Sequence, residues 1–554
     1  MSSATDTYLL LGAFVDELAR CGMRAACTSP GSRSAPLVLT LAREQRLRCY
    51  SHIDERSSAF FALGLAKASG LPAAVTCTSG TAAAELLPAA VEAHHARVPL
   101  LLLTADRPPE LRETGAGQTI DQIKLFRAVA KWFFEVGTHD AAPERIRWMR
   151  ALACRAYWTA LEGRPGVVHL NFALREPLVS EQELPADTGG RPDGQPWLRR
   201  EAAAAVSTAT QERFAELVGG ARRGLLVVGR DERERRPESL GAAAATFGAT
   251  ATWPVLADPL SRGRRGLAAI AHYDLLLRSP AVAQALAPDL VVRVGDLPTS
   301  KPLRGWLASL GDARQVALDP EAAWQDPASV VGEWLALDPA LALARARDRD
   351  RAHPEPDWLE RWQSADAHVA AAVEAALQGS GLSEPAVARE LGSLLPEHAT
   401  LFVASSMPVR DVEAFWPARE DPPRVLCNRG ANGIDGTVSS AFGAAAHGDG
   451  PVVLLIGDVA LAHDMGALIC ARRLGLAVTI VLLNNGGGSI FDFLPVARAP
   501  LALEQGRYER HIATPPELDF AAAAALYGLA HERVTDLVSF RSALRRALGG
   551  GGAS

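Results

Sequence analysis

Short apolar runs rich in Val, Leu and Ala alternate along the whole chain with longer Ala/Leu stretches of helical spacing. The short runs, bounded by polar clusters, read as strands buried on both faces, and the stretches between them as the helices that cover them. The pattern predicts strands at Ala73–Thr76, Val98–Thr104, Gly224–Val228, Leu290–Val294, Leu401–Ala404, Val452–Ile456 and Val478–Leu483. Such alternation implies α/β architecture with parallel sheets, because a crossover between parallel strands needs a helix. The run Tyr8–Val15, flanked by Asp6 and Asp16 and preceded by no basic segment, reads as a first amphipathic helix rather than a signal peptide.

Two polar, proline-containing stretches interrupt the alternation, at residues 181–199 and 347–358. They divide the chain into three expected doubly wound parallel-sheet domains, at residues 1–185, 200–345 and 360–554. A chain of 554 residues is too long for a single core, which agrees with that division. The glycine-rich tail after Leu548 is expected to fray.

Composition narrows the class. Hydrophobic residues at 48% and charged residues at 22% fit a soluble globular protein, and the longest apolar runs, Val98–Leu103 and Ala477–Leu483, are too short to span a membrane. A net charge of −6 argues against a nucleic-acid partner. The cysteines Cys21, Cys27, Cys49, Cys77, Cys154, Cys427 and Cys470 are scattered without a C-x-x-C pair, as expected for reduced thiols of a cytoplasmic protein. Most of the positive charge is Arg, which suits bidentate recognition of carboxylates and phosphates, although GC-rich coding accounts for such usage equally well.

The candidate chemistry lies directly behind the strands. Thr78-Ser79-Gly80-Thr81, Ala105-Asp106-Arg107, Ser405-Ser406, Gly457-Asp458 and Asn484-Asn485 each follow a predicted strand, where open parallel sheets bind ligands. Asp458 offers a carboxylate and Asn485 a neutral carbonyl, and Gly486-Gly487-Gly488 lets a backbone carbonyl approach. That is an oxygen set suited to Mg2+ bridging to phosphates. A helix opening near His463-Asp464 would turn its free N–H groups toward those phosphates.

The pair Gly457-Asp458 and Asn484-Asn485, with Asp458 and Asn485 separated by 485 − 458 = 27 positions, resembles the fingerprint of the thiamine-diphosphate enzymes. The resemblance implies thiamine diphosphate and Mg2+, or Mn2+, as cofactors, with Asp458, Asn485 and Gly487 as metal ligands. Asp54-Glu55-Arg56-Ser57 is similar to the same superfamily's activating motif, which implies that Glu55 is catalytic and meets the cofactor's pyrimidine ring. Read without the resemblance, Glu55 is equally a helix N-terminal acid favoured by the dipole. The superfamily builds its site between the pyrimidine-binding domain of one subunit and the diphosphate-binding domain of another, which implies a homodimer or homotetramer.

Four segments are similar to one family within it, the 2-succinyl-5-enolpyruvyl-6-hydroxy-3-cyclohexene-1-carboxylate synthases of menaquinone biosynthesis. They are Ser29–Ser34, Leu103–Leu111, Asn428–Gly436 and Asn485–Phe491. That family decarboxylates 2-oxoglutarate and adds the resulting carbanion to isochorismate. Both substrates are dicarboxylates, so the pocket needs cations. The resemblance implies that Ser32, Arg33, Arg107 and Gln118 face isochorismate, and that Ser406, Arg410 and Arg429 meet the 2-oxoglutarate chain, Ser406 also touching the cofactor. Ile434 would hold the cofactor bent, with Ile490, Phe491 and Leu494 lining the pocket. Lys301 would bind a carboxylate from a loop in which Pro302 replaces a second cation of some relatives, with Arg304 as a substitute. Arg97, Arg278 and Arg304 suggest an effector site for a carboxylated pathway product, the plainer reading being unrelated surface arginines.

Three other readings are weighed against this one. Another thiamine-diphosphate 2-oxoacid decarboxylase or carboligase, such as an acetolactate synthase, handles less charged substrates and needs fewer pocket arginines. A non-catalytic regulatory paralogue should have lost Glu55, Asp458 or Asn485, and all three are present. A dinucleotide-dependent dehydrogenase shares the fold class but would need a G-x-G-x-x-G that the central region lacks.

Overall fold

The computed structural model describes residues 4–180, 189–200, 207–232, 239–346 and 355–550. Among them the strands form three wholly parallel sheets, the three-sheet α/β architecture that the alternating runs predict. The chain divides into two compact units, the first comprising residues 1–203, 428–448 and 460–478 and the second the remainder.

The first unit is built on β1 (Ala25–Thr28), β2 (Arg48–Ser51), β3 (Ala73–Cys77), β4 (Leu100–Asp106), β5 (Ala130–Glu135) and β6 (Val167–Ala173), in the order β2-β1-β3-β4-β6-β5. β3, β4 and β6 are buried at every position, which is why β3 and β4 read as continuous apolar runs rather than alternating ones. β4 starts at Leu100 rather than Val98, since Pro99 has no N–H to give the ladder. The first helix, Ala4–Cys21, extends the apolar run at both ends and buries Leu11, Phe14 and Leu18. Phe14 meets Phe172 of β6 edge-on at 5.5 Å.

The helix Glu55–Ser69 packs backbone to backbone on the helix Thr437–His447, and glycine makes this possible. A Cβ on Gly64 would stand 1.9 Å from the Ser440 carbonyl oxygen, and one on Gly443 would stand 2.0 Å from that of Phe61. Ser440 Oγ also donates to the Phe60 carbonyl at 3.1 Å. Residues from the last third of the sequence are thereby fixed beneath the helix that begins at Glu55.

The second unit holds two sheets. One contains β7 (Gly224–Val228), β8 (Val255–Ala257), β9 (Leu290–Val294), β10 (Arg314–Leu318) and β11 (Glu333–Leu335), in the order β11-β10-β9-β7-β8. The other contains β12 (Thr400–Val403), β13 (Arg424–Leu426), β14 (Val452–Gly457) and β15 (Thr479–Leu483), in the order β13-β12-β14-β15. Trp358 and Trp362, both fully buried, start the long helix Trp358–Ser380, and Trp362 packs edge-on against Trp306 at 5.8 Å. Of the two expected boundary stretches, residues 181–188 and 347–354 lie outside the described residues. The last helix runs Leu537–Gly550, two residues past the point where fraying is expected, and residues 551–554 lie outside the described residues.

Substituting Gly64→Ala should lower stability by about 1–3 kcal/mol, because the new methyl group meets rigid backbone instead of a movable side chain. A shift of the urea midpoint to lower concentration checks this, and an unchanged midpoint would show that the two helices separate freely.

Candidate functional site

In the second unit the register pairs Gly457 with Leu483, so β14 and β15 end level and release Asp458 and Asn484-Asn485 side by side. Asp458 is 2% exposed, and a carboxylate taken this far out of water needs partners. Its Oδ2 accepts the N–H groups of Gly486 at 3.0 Å and Gly487 at 2.8 Å, and its Oδ1 accepts that of Val459 at 2.8 Å. This wraps the glycine turn around the carboxylate. Gly487 has φ 138°, and a Cβ there would lie 2.8 Å from the Ala513 carbonyl oxygen, so the turn excludes any larger residue. Gly488 N–H donates to that same oxygen at 2.6 Å.

Asn485 follows β15 with its amide exposed, and Nδ2 donates to Glu384 Oε1 at 2.7 Å and to Ser489 Oγ at 2.6 Å. A buried carboxylate, an amide oxygen and the carbonyl of a residue with no Cβ make an oxygen set that fits Mg2+. A helix opens on Asp458 itself and ends at His463, and a 3-10 helix, Met465–Leu468, opens directly after Asp464, where the sequence places a helix start. In the first unit the buried Asp464 carboxylate accepts the Ser439 N–H at 2.8 Å rather than capping that helix, and burial pushes it up to about 6.

Ser406 follows β12 with φ 74° and ψ −132°, a strained conformation for a residue other than glycine. It opens the helix Met407–Phe415, in which the Arg410 guanidinium donates back to the Ser406 carbonyl. The far end of that helix is clamped by Arg264, which is buried and was not foreseen from the sequence. Arg264 donates to the carbonyls of Glu413 at 2.9 Å, Trp416 at 3.0 Å and Ala257 at the end of β8 at 3.1 Å. Within the same helix Asp411 is buried and its carboxyl is pushed up to about 7, first by burial and then by the neighbouring Glu384. Ile490 and Phe491 lie in the short 3-10 helix Ser489–Phe493, and Leu494 follows it, 44% exposed.

Lys301, exposed, is the first residue of the helix Lys301–Ser309. Pro302 is at home in a first helical turn, where no N–H is required, so it changes the loop's charge without disturbing its backbone. Ser300 caps this helix by accepting the Leu303 N–H at 3.1 Å and donates to Asp274 at 2.7 Å. Arg278 and Arg304 converge on this pair, Arg278 at 2.7 Å from Asp274 and Arg304 donating to the Ser300 carbonyl at 3.3 Å. Arg97, the third arginine of the expected anion site, is buried in the first unit with φ 56°.

The first unit gathers a second group of residues at the carboxyl edge of its sheet. Glu55 is half-buried and opens its helix, while Asp54 caps it by accepting the N–H groups of Arg56 at 2.9 Å and Ser57 at 3.4 Å. Burial, with Asp54 and Glu85 nearby, holds the Glu55 carboxyl above the usual carboxylate range. Ser79 and Gln118 bond reciprocally, each donating to the other's carbonyl at 3.0 Å, and Arg107 donates to the Gln118 carbonyl at 3.0 Å and to Ser79 Oγ. Arg33 is buried, donates to the Leu174 carbonyl at 2.8 Å and pairs with Glu176 at 3.1 Å. Burial and the proximity of Arg33 lower the pKa of Arg107. The structure thus brings Arg33, Arg107 and Gln118 together, with Ser32 exposed at the adjoining turn.

Arg429 and Ile434 also belong to the first unit, on a loop held by a residue that the sequence reading missed. Glu92, 3% exposed, accepts the N–H groups of Gly430 at 2.8 Å and Ala431 at 2.6 Å and faces Lys67 at 3.5 Å. The available signal was an acid directly after the apolar first turns of the helix Leu87–Ala96. A separate buried group, Glu17, Cys21 and Cys154, brings a carboxylate and two thiols within 4.8 Å of one another. Arg150 pairs with Glu17 at 2.8 Å and the thiols meet at 3.6 Å, so this group is satisfied internally.

Comparison with known proteins places the whole chain in one family. The N-terminal binding domain of thiamine pyrophosphate enzymes matches residues 11–125, their middle domain residues 191–403 and their C-terminal binding domain residues 408–554. The domain architecture is that of a thiamine pyrophosphate enzyme. The 2-succinyl-5-enolpyruvyl-6-hydroxy-3-cyclohexene-1-carboxylate synthase of Geobacillus kaustophilus is 41% identical, over 100% of this chain and 94% of its own length. Those of Chloroflexus aurantiacus and Listeria monocytogenes are 42% and 39% identical, over 98% and 97% of this chain and 92% of their own lengths. The chain belongs to the 2-succinyl-5-enolpyruvyl-6-hydroxy-3-cyclohexene-1-carboxylate synthase family.

Asp411 yields a pH prediction. Its folded-state pKa lies above the unfolded one, so its contribution to stability is complete in acid and is lost as pH rises through about 7. Asp411→Asn cannot ionise there and should gain stability relative to the parent between roughly pH 4 and pH 8. Urea midpoints across that range provide the check, and a constant difference would remove Asp411 as the titrating group.

Proposed function

We infer that this protein decarboxylates 2-oxoglutarate with thiamine diphosphate and adds the resulting four-carbon unit to isochorismate, releasing CO2 and forming 2-succinyl-5-enolpyruvyl-6-hydroxy-3-cyclohexene-1-carboxylate. The observation that carries this reading is near-full-length identity of about two residues in five to enzymes named for that product. When bound, thiamine diphosphate supplies the electron sink that loss of CO2 requires. Asp458, Asn485 and the Gly487 carbonyl would hold Mg2+, or Mn2+ in its place, which would anchor the cofactor's diphosphate. Glu55, its carboxyl biased toward the protonated form, holds a proton for the pyrimidine ring nitrogen. Ile434, Ile490, Phe491 and Leu494 supply the apolar lining.

Arg33, Arg107 and Gln118, with Ser32, receive isochorismate. Ser406, Arg410, Arg429 and Lys301 receive the 2-oxoglutarate carboxylates. An effector role for Arg97, Arg278 and Arg304 toward a carboxylated later product belongs to the same proposal. So does a homodimer or homotetramer, supported by the apolar side chains that the second unit leaves exposed: Phe493 at 75%, Leu501 at 70%, Leu526 at 71% and Val538 at 69%. A cytoplasmic location agrees with the free cysteines and with the lack, among the described residues, of any helix long and apolar enough to cross a membrane.

The protein incubated with 2-oxoglutarate, isochorismate, thiamine diphosphate and Mg2+ should release CO2 in step with isochorismate loss. Turnover of pyruvate but not of this substrate pair would overturn the assignment. Glu55→Gln should slow turnover by about 10²–10⁴-fold while leaving cofactor affinity nearly intact, as measured by turnover and by cofactor titration. Unchanged turnover would remove Glu55 from its role.

A further inference from the structure

We propose that Glu384 is a positioning residue for the cation: it fixes which face of the Asn485 amide is presented, so that Oδ1 and not Nδ2 points at the metal. The inference rests on the reading of Asp458, Asn485 and Gly487 as metal ligands.

A primary amide has nearly the same shape whichever way its end is turned, but only its oxygen can bind a cation. Asn485 stands exposed at the end of an edge strand, where packing alone does not choose between the two orientations. Glu384 makes that choice. An ionised carboxylate accepts hydrogen bonds and donates none, so the amide edge 2.7 Å from Glu384 Oε1 has to be the nitrogen. The bond is charge-assisted and about twice as strong as a neutral one. Ser489 Oγ takes the other amide hydrogen at 2.6 Å, which accounts for both hydrogens of Nδ2. Among the described residues no donor meets Oδ1, which leaves it for a cation.

Glu384 is well placed to act as a fixed reference. It is the first residue of the helix Glu384–Leu394, which buries Val387, Ala388 and Leu391 in the core beneath the β12–β15 sheet. Farther along, the same helix is tied by an ion pair between Glu390 and Arg541. A group on an anchored helix can hold an exposed amide still, whereas another loop residue could not. The plain alternative is that Glu384 only favours the start of its helix, as acids at that position do.

The test measures, on the full-length protein with thiamine diphosphate saturating, the Mg2+ concentration that half-saturates cofactor binding, by calorimetry or quenching of tryptophan fluorescence. Glu384→Ala should raise it about 10–100-fold, the usual effect of losing a residue that orients a ligand. Glu384→Gln can turn either an oxygen or a nitrogen toward Asn485, so it no longer selects the amide edge and should also raise the Mg2+ requirement, though less than Glu384→Ala. Both variants should melt like the parent without metal. Parent-like Mg2+ dependence in Glu384→Ala would overturn the inference, as would a Glu384→Gln that matches the parent, since an acceptor-only edge would then not be what orients the amide. If Glu384→Ala does not fold, Glu384→Gln decides: a raised Mg2+ requirement supports the inference and a parent-like one overturns it. Asp458→Ala separates the two levels. If it binds the cofactor with parent-like Mg2+ dependence, the metal anchor itself is wrong and the inference falls with it. If it loses that dependence while Glu384→Ala keeps it, only the role of Glu384 is lost.

Discussion

The candidate cation site depends on a carboxylate that the fold has removed from water. Asp458 stands at the end of a strand buried nearly throughout, and an isolated carboxylate there would be too costly to keep ionised. Two glycine N–H groups from the turn after the neighbouring strand partly replace its hydration. That exchange fixes the turn, and the turn fixes Asn485 and the Gly487 carbonyl. Three oxygen donors from two strands are held together because one negative charge requires it.

The same device recurs wherever an irregular segment has to be held. Glu92, buried in a helix of the first unit, holds the loop that carries Arg429 through two backbone N–H groups. Arg264, buried in the second unit, collects three carbonyls and so fixes the helix that carries Arg410. In each case a charged group inside the protein is satisfied by backbone belonging to a functional loop or helix. Candidate site residues are therefore positioned by side chains outside the candidate set. Ser406 shows the cost of such placement, since its positive φ persists only because strand β12 before it and the helix after it are both anchored.

Strands β3, β4, β7, β9, β12, β14 and β15 were legible from apolar runs bounded by polar clusters; His169 and Asn171 interrupt β6, and β8, β11 and β13 are too short to make such a run. Asp458 and Asn485 were legible because parallel sheets bind ligands at one edge, so polar residues directly after strands stand out. Glu92, Arg264 and Glu384 were not. A buried Arg or Glu has the same letter as a solvated one, and the helix-end carbonyls that Arg264 meets and the amide that Glu384 meets lie about a hundred residues or more away.

The sequence by itself determined the three-sheet α/β class, the Asp–Asn spacing and the identity of the catalytic and arginine candidates. Local rules of strand burial and turn chemistry govern the first two, whereas the catalytic and arginine candidates are what the resemblance to the synthase family implies. Only the tertiary structure decided that residues 428–448 pack with the first sheet, that Gly64 and Gly443 allow two helices to touch, and that Glu384 meets Asn485. Those outcomes depend on which distant backbone atoms arrive at the same point, and no pattern local to the chain encodes that distance.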